Sequence, residues 1–474
     1  MIRGETKNVA LTPIPYPGID PLETYIPRVI DINNGRLTDA GNWVRRPGIG
    51  LYRLTDRFQP IWLLIPFQGG LAVNQTGNVY RLNPAVARAT GTLKGSYRPT
   101  WVNYAGVIVF ADGGAPQKLD PVTFTLSDLG GSPPPGRFIE VLDTYLIMSG
   151  HDGMRFDWSD TNTGEVWPEE NFDALIEEGE TLEMMRVFQR KLWFFKSGSI
   201  ECWSHVGGDS TFVRTAVVDR GTPAGHSVVI ANDTIYWFGD DGAFYRLDGF
   251  APRMIPASAP DQLRGVLERV KNRRDLFGYD FPKEHVIRWV APIEGLTFTY
   301  DYKNDIFLED YEWISGGKQR MRVNAAMLYT DGEMYIGDHR PSGQVLSWSD
   351  LWPTDLGQEI RVQRTFLVPL SADGTTARVN RLRLRVLRGQ GVPSPAPFGY
   401  GGPNEAKALL RWKFDQGDWS PYQEVDLGAV GESTPYVEFH RLGIGREVTF
   451  DLVETDAVKW LLTHAFLTVE NLGR

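Results

Sequence analysis

Tight glycine turns recur along this chain at nearly constant spacing, each preceded by a strand-like segment and followed by a short aromatic or aliphatic one. Gly77 opens Gly77-Asn78-Val79-Tyr80-Arg81-Leu82, Gly242 opens the near copy Gly242-Ala243-Phe244-Tyr245-Arg246-Leu247, and Gly114 opens a degenerate version ending Lys118-Leu119-Asp120. Gly153, Gly198 and Gly332 complete the set, and subtracting positions gives steps of 37, 39, 45, 44 and 90 residues. A unit of roughly 40 to 45 residues with four short strands cannot bury its faces alone, so copies must stack, and radial stacking makes a β-propeller. The last step is twice the common one and predicts a further unit between Gly242 and Gly332.

Strand patterns fill these units. Leu51–Leu54, Ile61–Phe67, Leu71–Asn74 and the Tyr80 return predict one four-stranded blade, and Trp101–Tyr104, Val107–Ala111 and Phe124–Leu126 predict the next. Thr234–Phe238 runs into Asp240-Asp241-Gly242, and Asp-Gly between alternating runs is a strong hairpin signal. One helix is expected over about 258–273, with Ser258 as N-cap, Pro260 in the first turn and Leu263, Val266, Leu267 and Val270 on one face. Val286–Val290, Leu296–Tyr302 and Ile306–Leu308 then form the unit inside the doubled step. Six or seven blades result, and the short first and last units are able to share one closing sheet.

Both flanks break the rhythm. Residues 1–47 carry Pro13, Pro15, Pro17, Pro21 and Pro27 and read as an extended N-terminal arm laid over something else. From about Leu356, alternating strands at Ile360–Val368, Asn380–Val386, Ala408–Phe414, Tyr436–Phe439, Glu447–Leu452 and Ala465–Val469 surround a Pro/Gly-rich loop from Gly389 to Pro403. That pattern predicts a β-sandwich. The expected fold is therefore all-β: arm 1–47, propeller 48–354 and sandwich platform 355–474.

Charge and cysteine content narrow the function. Fifty-nine acidic against 49 basic residues leave a net charge of −10, which opposes tight non-specific binding to nucleic acid or an anionic membrane. The single cysteine, Cys202, rules out a disulfide within the chain. Residues 1–20 have neither the basic head nor the apolar run of a secretory signal, and no run of ~18 apolar residues predicts a stable membrane insertion.

Three stretches carry a resemblance. Arg45-Arg46-Pro47-Gly48-Ile49 precedes the first blade, and Trp237-Phe238-Gly239-Asp240-Asp241-Gly242-Ala243-Phe244-Tyr245-Arg246-Leu247 forms the cleanest one. Near the C-terminus, Asp426-Leu427-Gly428-Ala429-Val430-Gly431 is followed by Arg441-Leu442-Gly443-Ile444-Gly445-Arg446. In this order the chain resembles the packaged-DNA stabilisation proteins of short-tailed bacteriophages (podoviruses), also called tail hub or nozzle proteins. The resemblance implies a structural virion subunit in the phage tail, assembled in the host cytoplasm as a homohexameric ring below the portal adaptor. Such a ring extends the DNA channel at the head-to-tail interface, retains the packaged genome until ejection, and docks tailspike, tail fibre or needle proteins. It implies no enzyme activity, cofactor or sequence-specific DNA contact. The acidic balance suits this role, because a conduit that repels duplex over roughly 8 to 10 Å lets it slide. Glu169-Glu170 and Glu177-Glu178-Gly179-Glu180 are candidates for the lumen or for solvated loops.

One basic cluster runs against the acidic background. Arg378, Arg381, Arg383, Arg385 and Arg388 crowd one strand region, and alternation places Arg381, Arg383 and Arg385 on one face with Leu382, Leu384 and Val386 on the other. That face is either the solvated side of a sandwich strand or an interface to an acidic partner or neighbouring subunit. The alternative function is a propeller-based glycan-binding or glycan-cleaving tail protein. Asp415-Gln416-Gly417-Asp418-Trp419 is a single, shortened Asp-box-like turn outside the propeller and reads as a hairpin turn. Asp157, Asp160 and Glu165 do not single out the carboxylate pair that glycoside hydrolysis requires. No catalytic or metal-binding residue is expected: the seven histidines lack zinc-ligand spacing, and Asp160-Thr161-Asn162-Thr163-Gly164 lacks the bidentate Glu of a calcium loop.

Overall fold

A computed structural model describes residues 6–11, 28–38, 43–151, 153–176, 179–208, 211–255, 270–370, 374–387, 406–428, 436–456 and 461–472. Four-stranded antiparallel sheets succeed one another along the chain: Ile61 to Arg88, Thr100 to Asp128, Phe138 to Ala174, Leu182 to Val218, Val229 to Ile255 and Phe277 to Glu309. A seventh is made of Val323–Leu328, Met334–Asp338, Gln344–Ser349 and, as its outer strand, Gly48–Leu54. We count these as the first to seventh sheets.

The ring is closed by apolar wedges. Ile65, Val73, Ile108 and Phe110 join the first and second sheets, and Val109, Ile139 and Leu146 join the second and third. Phe156, Phe194, Cys202 and Trp237 run from the third sheet to the fifth. Phe244 and Trp289 fill the next wedge, Phe281, Met321 and Ile336 the one after, and Tyr80, Ala325 and Tyr335 return to the first sheet. Each sheet therefore buries both faces against its neighbours, the condition that a lone blade cannot meet. The fold is a β-propeller.

Several expectations are corrected. Leu51–Leu54 belongs to the last sheet, where Gly48–Leu54 pairs with Gln344–Ser349, and the first sheet takes its outer strand from Ala87–Arg88. Gly77, Gly114, Gly153, Gly198 and Gly242 all lie between the second and third strands of their sheets, but Gly332 lies between the first and second strands of the seventh. The equivalent turns are Gly295 in the sixth sheet and Gly343 in the seventh, with φ of 68° and 66° in the left-handed region that favours glycine. The helix expected over 258–273 lies mostly outside the described residues. At its described end Val270–Asn272 are not helical, and Arg273–Asp275 is a single 3₁₀ turn.

Seven strands from the C-terminal part and four from the arm build a two-sheet sandwich. One sheet has the order Gly35–Leu37, Trp43–Arg45, Leu461–Asn471, Ala377–Leu387, Tyr436–Gly445, with Thr6–Leu11 also on Leu461–Asn471. The other runs Arg28–Asn33, Val362–Pro369, Glu447–Glu454, Ala406–Phe414, Gln423–Gly428. Phe366, Leu382, Leu384, Phe439, Phe450 and Leu467 pack between them. Arg28–Asn33 also pairs in parallel with Ile306–Glu309, so the arm fuses the sixth propeller sheet and one sandwich sheet into nine continuous strands. The arm strands, the hairpin Tyr311–Ile314 with Gly317–Arg320, and Gln423–Gly428 were not anticipated from the sequence.

Candidate functional site

The arginine strand lies as alternation predicts. Leu382, Leu384 and Val386 enter the sandwich core while Arg381 and Arg383 are half-buried and Arg385 is exposed. Arg383 Nε donates to Glu438 Oε1 at 2.6 Å, Arg381 reaches the same oxygen at 3.7 Å, and Arg378 lies 3.8 Å from Glu470. Neighbouring strands add Tyr436, under the Arg383 guanidinium at 5.0 Å, and a stacked pair, His464 and Phe466, at 5.9 Å. Four arginines thus share a face with Glu438 and Glu470, together with aromatic rings. Arg388 and the loop from Gly389 to Pro403 lie outside the described residues.

A second cluster sits where arm, sixth sheet, seventh sheet and sandwich meet. Arg36 forks onto Asp310 at 3.0 and 2.5 Å and donates through Nε to Glu284 at 2.6 Å. Arg288 donates to the same two carboxylates at 2.8 and 2.9 Å, and Thr299 Oγ1 reaches Asp310 at 3.0 Å. Trp348 Nε1 donates to Glu284, and the Arg288 guanidinium lies 4.0 Å over Phe281 and 4.6 Å over Trp348. Burial pushes the Asp310 and Glu284 carboxyls up, but the two guanidiniums outweigh it and hold both below the usual carboxylate range.

Arg46 of the Arg45-Arg46-Pro47-Gly48-Ile49 stretch extends this lattice. It forks onto Asp355 at 3.0 and 2.5 Å, donates to Asn34 Oδ1 at 2.9 Å and to the Tyr311 carbonyl at 3.2 Å. The glycines that follow are dictated by packing. A Cβ on Gly48 would stand 2.3 Å from the Trp352 carbonyl oxygen, and one on Gly50 would stand 2.0 Å from the Trp352 ring. The motif is therefore the latch of the seventh sheet: a buried fork on Asp355, then two residues without side chains where the strand enters.

A third set of basic groups lies on or just before the inner strands of the propeller sheets. Arg98, Arg137, His226 and Arg320 come just before the inner strands of the second, third, fifth and seventh sheets, and Arg186 lies within that of the fourth. Arg98 donates to Asn324 Oδ1 at 3.1 Å and lies 4.3 Å over the Phe277 ring, so it reaches from the second sheet to the sixth and seventh. Glu140 faces Arg186 at 3.3 Å, and burial pushes its carboxyl up to about 7. The carboxyl of Asp280, on the inner strand of the sixth sheet, is likewise raised to about 7 by burial.

The weighed catalytic and metal candidates are placed as follows. Asp157 is bound by Arg155 at 2.6 Å and His151 at 2.9 Å, Asp160 Oδ1 accepts the Thr161 N–H at 2.7 Å, and Glu165 pairs with Lys118. Each carboxylate is thus engaged by a partner of its own. Asp415 ends its strand and accepts the N–H groups of Arg446 and Glu447 at 3.0 and 3.1 Å, as a turn residue does. Glu180 binds Lys196 at 2.6 Å, Glu169 and Glu170 are exposed, and Glu177-Glu178 lies outside the described residues. Among the described residues no three His, Cys, Asp or Glu side chains group as a metal site. Cys202 is fully buried between sheets, where burial pushes its thiol up. Trp348 is buried inside the chain, and no sequence pattern announced the ion lattice because its members are far apart in the chain.

These observations define an all-β propeller with an arm-laced sandwich, and the solved structures similar to it are propellers. The WD40 propeller domain of Doa1 matches over 64% of this chain and 96% of its own, at 11% identity and a TM-score of 0.42. BamB from Moraxella catarrhalis matches over 72% and 96%, at 11% identity and a TM-score of 0.39. The extracellular domain of a putative one-component system from B. thetaiotaomicron matches over 86% and 58%, at 8% identity and 0.45. No protein-family model and no curated protein matches the chain.

Proposed function

We propose that this chain is a structural tail hub or nozzle subunit of a short-tailed phage. It assembles as a ring below the portal adaptor, and the DNA channel is the opening between subunits. The observation that carries the reading is the arginine face of the sandwich: four arginines against two glutamates on a chain of net charge −10. A cationic sheet face on an acidic protein is complementary to the acidic remainder of a second copy. Arg98 across the propeller axis is consistent with a conduit outside the individual propeller. The arm, threaded through both sandwich sheets and fixed by Arg36 and Arg46, makes propeller and platform one unit able to bear load.

The test adds the purified protein to DNA-filled heads that lack it and counts bound copies and retained DNA. About six copies with reduced leakage is the expected outcome, as the family resemblance implies. Failure to bind sinks the reading. The Arg381→Glu, Arg383→Glu, Arg385→Glu triple variant should stay folded as a monomer and lose assembly, and an unchanged assembly yield removes that face from the interface.

The glycan-cleaving alternative draws on one observation, the two carboxyls Glu140 and Asp280 near neutrality on inner strands. Turnover of host polysaccharide that disappears in Glu140→Gln would establish it, and no turnover by the wild-type chain removes it.

A further inference from the structure

The outer face of the sandwich has a regular layout that the hub reading leaves without a named partner surface. Strand register sets Arg385 between His464 and Tyr436, Arg383 between Phe466 and Glu438, and Arg381 between Thr468 and His440. Leu382, Leu384, Phe439 and Leu467 on the same strands fill the core, so alternation turns the arginine rows outward. This sheet is the layer opposite the one that the arm fuses to the propeller, and its arginine face is turned away from that layer.

The propeller gathers its negative charge in one sheet. From Phe138 to Ala174 the third sheet holds nine acidic residues against one basic, while the sixth, from Phe277 to Glu309 and the next most acidic, holds six against three. Glu169, Glu170 and Asp173 lie in and just before its outer strand, Phe172–Ala174, and enter no ion pair among the described residues. Val166 and Phe172 in the same stretch are 48% and 46% exposed. The outer backbone edge of Phe172–Ala174 has no partner strand among the described residues. The sandwich and this sheet lie on opposite flanks of the propeller. The sandwich is rooted on the sixth and seventh sheets, through Arg28–Asn33 on Ile306–Glu309 and through Arg46 on Asp355. The third sheet is three places from the sixth through the fifth and fourth, and three from the seventh through the first and second.

We propose that the arginine face of one copy docks on the outer edge of the third propeller sheet of the next, Arg381, Arg383 and Arg385 meeting Glu169, Glu170 and Asp173. Guanidinium forks match carboxylates in geometry, and the exposed Phe172 and Val166 offer apolar area to the rings of Tyr436 and Phe466. A contact between unlike surfaces on opposite flanks is head-to-tail, and it repeats from copy to copy until the rotation closes a ring. The inference rests on the hub reading for the closed ring and adds which surface meets which.

Charge reversal on each surface, followed by mixing, tests it. The Arg381→Glu, Arg383→Glu, Arg385→Glu chain and the Glu169→Lys, Glu170→Lys, Asp173→Lys chain are compared with wild type by sedimentation velocity and by copies bound to DNA-filled heads. Each variant alone sets like charges against each other at every contact and should weaken association by about tenfold or more. Mixed in equal amounts they should recover it, because alternating copies set Glu against Lys at one contact and Arg against the native acids at the next. An acidic-surface variant that associates as the wild type does, or a mixture that stays as weak as its components, overturns the inference, and the hub reading stands if the wild type still binds heads. Recovery on mixing in solution with no binding to heads keeps the inference and sinks the hub reading. Wild-type protein that neither self-associates nor binds heads overturns both. Where a triple variant does not fold, Arg385→Glu and Glu170→Lys, each at an exposed residue, carry the same comparison with a smaller shift.

Discussion

Arginines do opposite things in two regions of this molecule. At the junction Arg36, Arg46 and Arg288 are buried: Arg36 and Arg288 share the carboxylates of Asp310 and Glu284, and Arg46 forks onto Asp355. On the sandwich face Arg381 and Arg383 share one half-buried glutamate, Glu438, both guanidiniums remain partly exposed to water, and that of Arg383 lies over Tyr436. The first group is costly to bury and costlier to unpair, so it fixes geometry; the second contributes little to folding and leaves charge free for recognition. Burial, not residue type, separates a latch from a docking surface.

The sharpest test of that contrast is Asp310→Ala. It leaves Arg36 and Arg288 facing Glu284 alone, and the expected loss is about 3–5 kcal/mol in denaturant unfolding. A loss like that of a surface pair would break the comparison. Gly50→Ala acts on the same latch without touching a charge. Its Cβ must displace the Trp352 ring, for an expected loss of about 1–3 kcal/mol and faster proteolysis of the arm.

Proton linkage separates the groups further. Asp310 and Glu284 have folded pKa values below their ordinary ones, so their contribution is present near neutrality and disappears as pH falls through the folded values. Glu140 has the opposite sign. The folded chain keeps its proton up to about pH 7 while the unfolded chain releases it near pH 4.5, so its contribution falls as pH rises across that window. Glu140→Gln should remove that downward slope in stability against pH, and an unchanged slope would place the cause elsewhere. The smallest effect belongs to Arg383→Ala, expected to cost about 1 kcal/mol or less because the pair with Glu438 is partly exposed.

Much of the propeller was legible because its signals are local. Turn glycines such as Gly77 and Gly242 need positive φ, and Thr234–Phe238 and Phe244–Asp248 alternate around the turn they flank. The Arg381, Arg383, Arg385 face was legible for the same reason, since strand alternation has period two. Gly332 misled because a glycine turn reports a hairpin and not which hairpin of the blade it closes. Leu51–Leu54 was misassigned because sequence adjacency favours pairing with the next strand, whereas ring closure pairs it with Gln344–Ser349.

The sequence by itself determined the repeating strand–turn unit, the all-β class, the arm and sandwich as departures from the repeat, and the faces of individual strands. Tertiary structure alone decided what the arm does, how the ring closes, and which charges are buried. Arg36 meets Asp310, Arg46 meets Asp355 and Arg98 meets Asn324 across separations of 274, 309 and 226 residues. No periodicity encodes such pairs, because they exist only once separate sheets have packed and excluded the water that would otherwise solvate each charge.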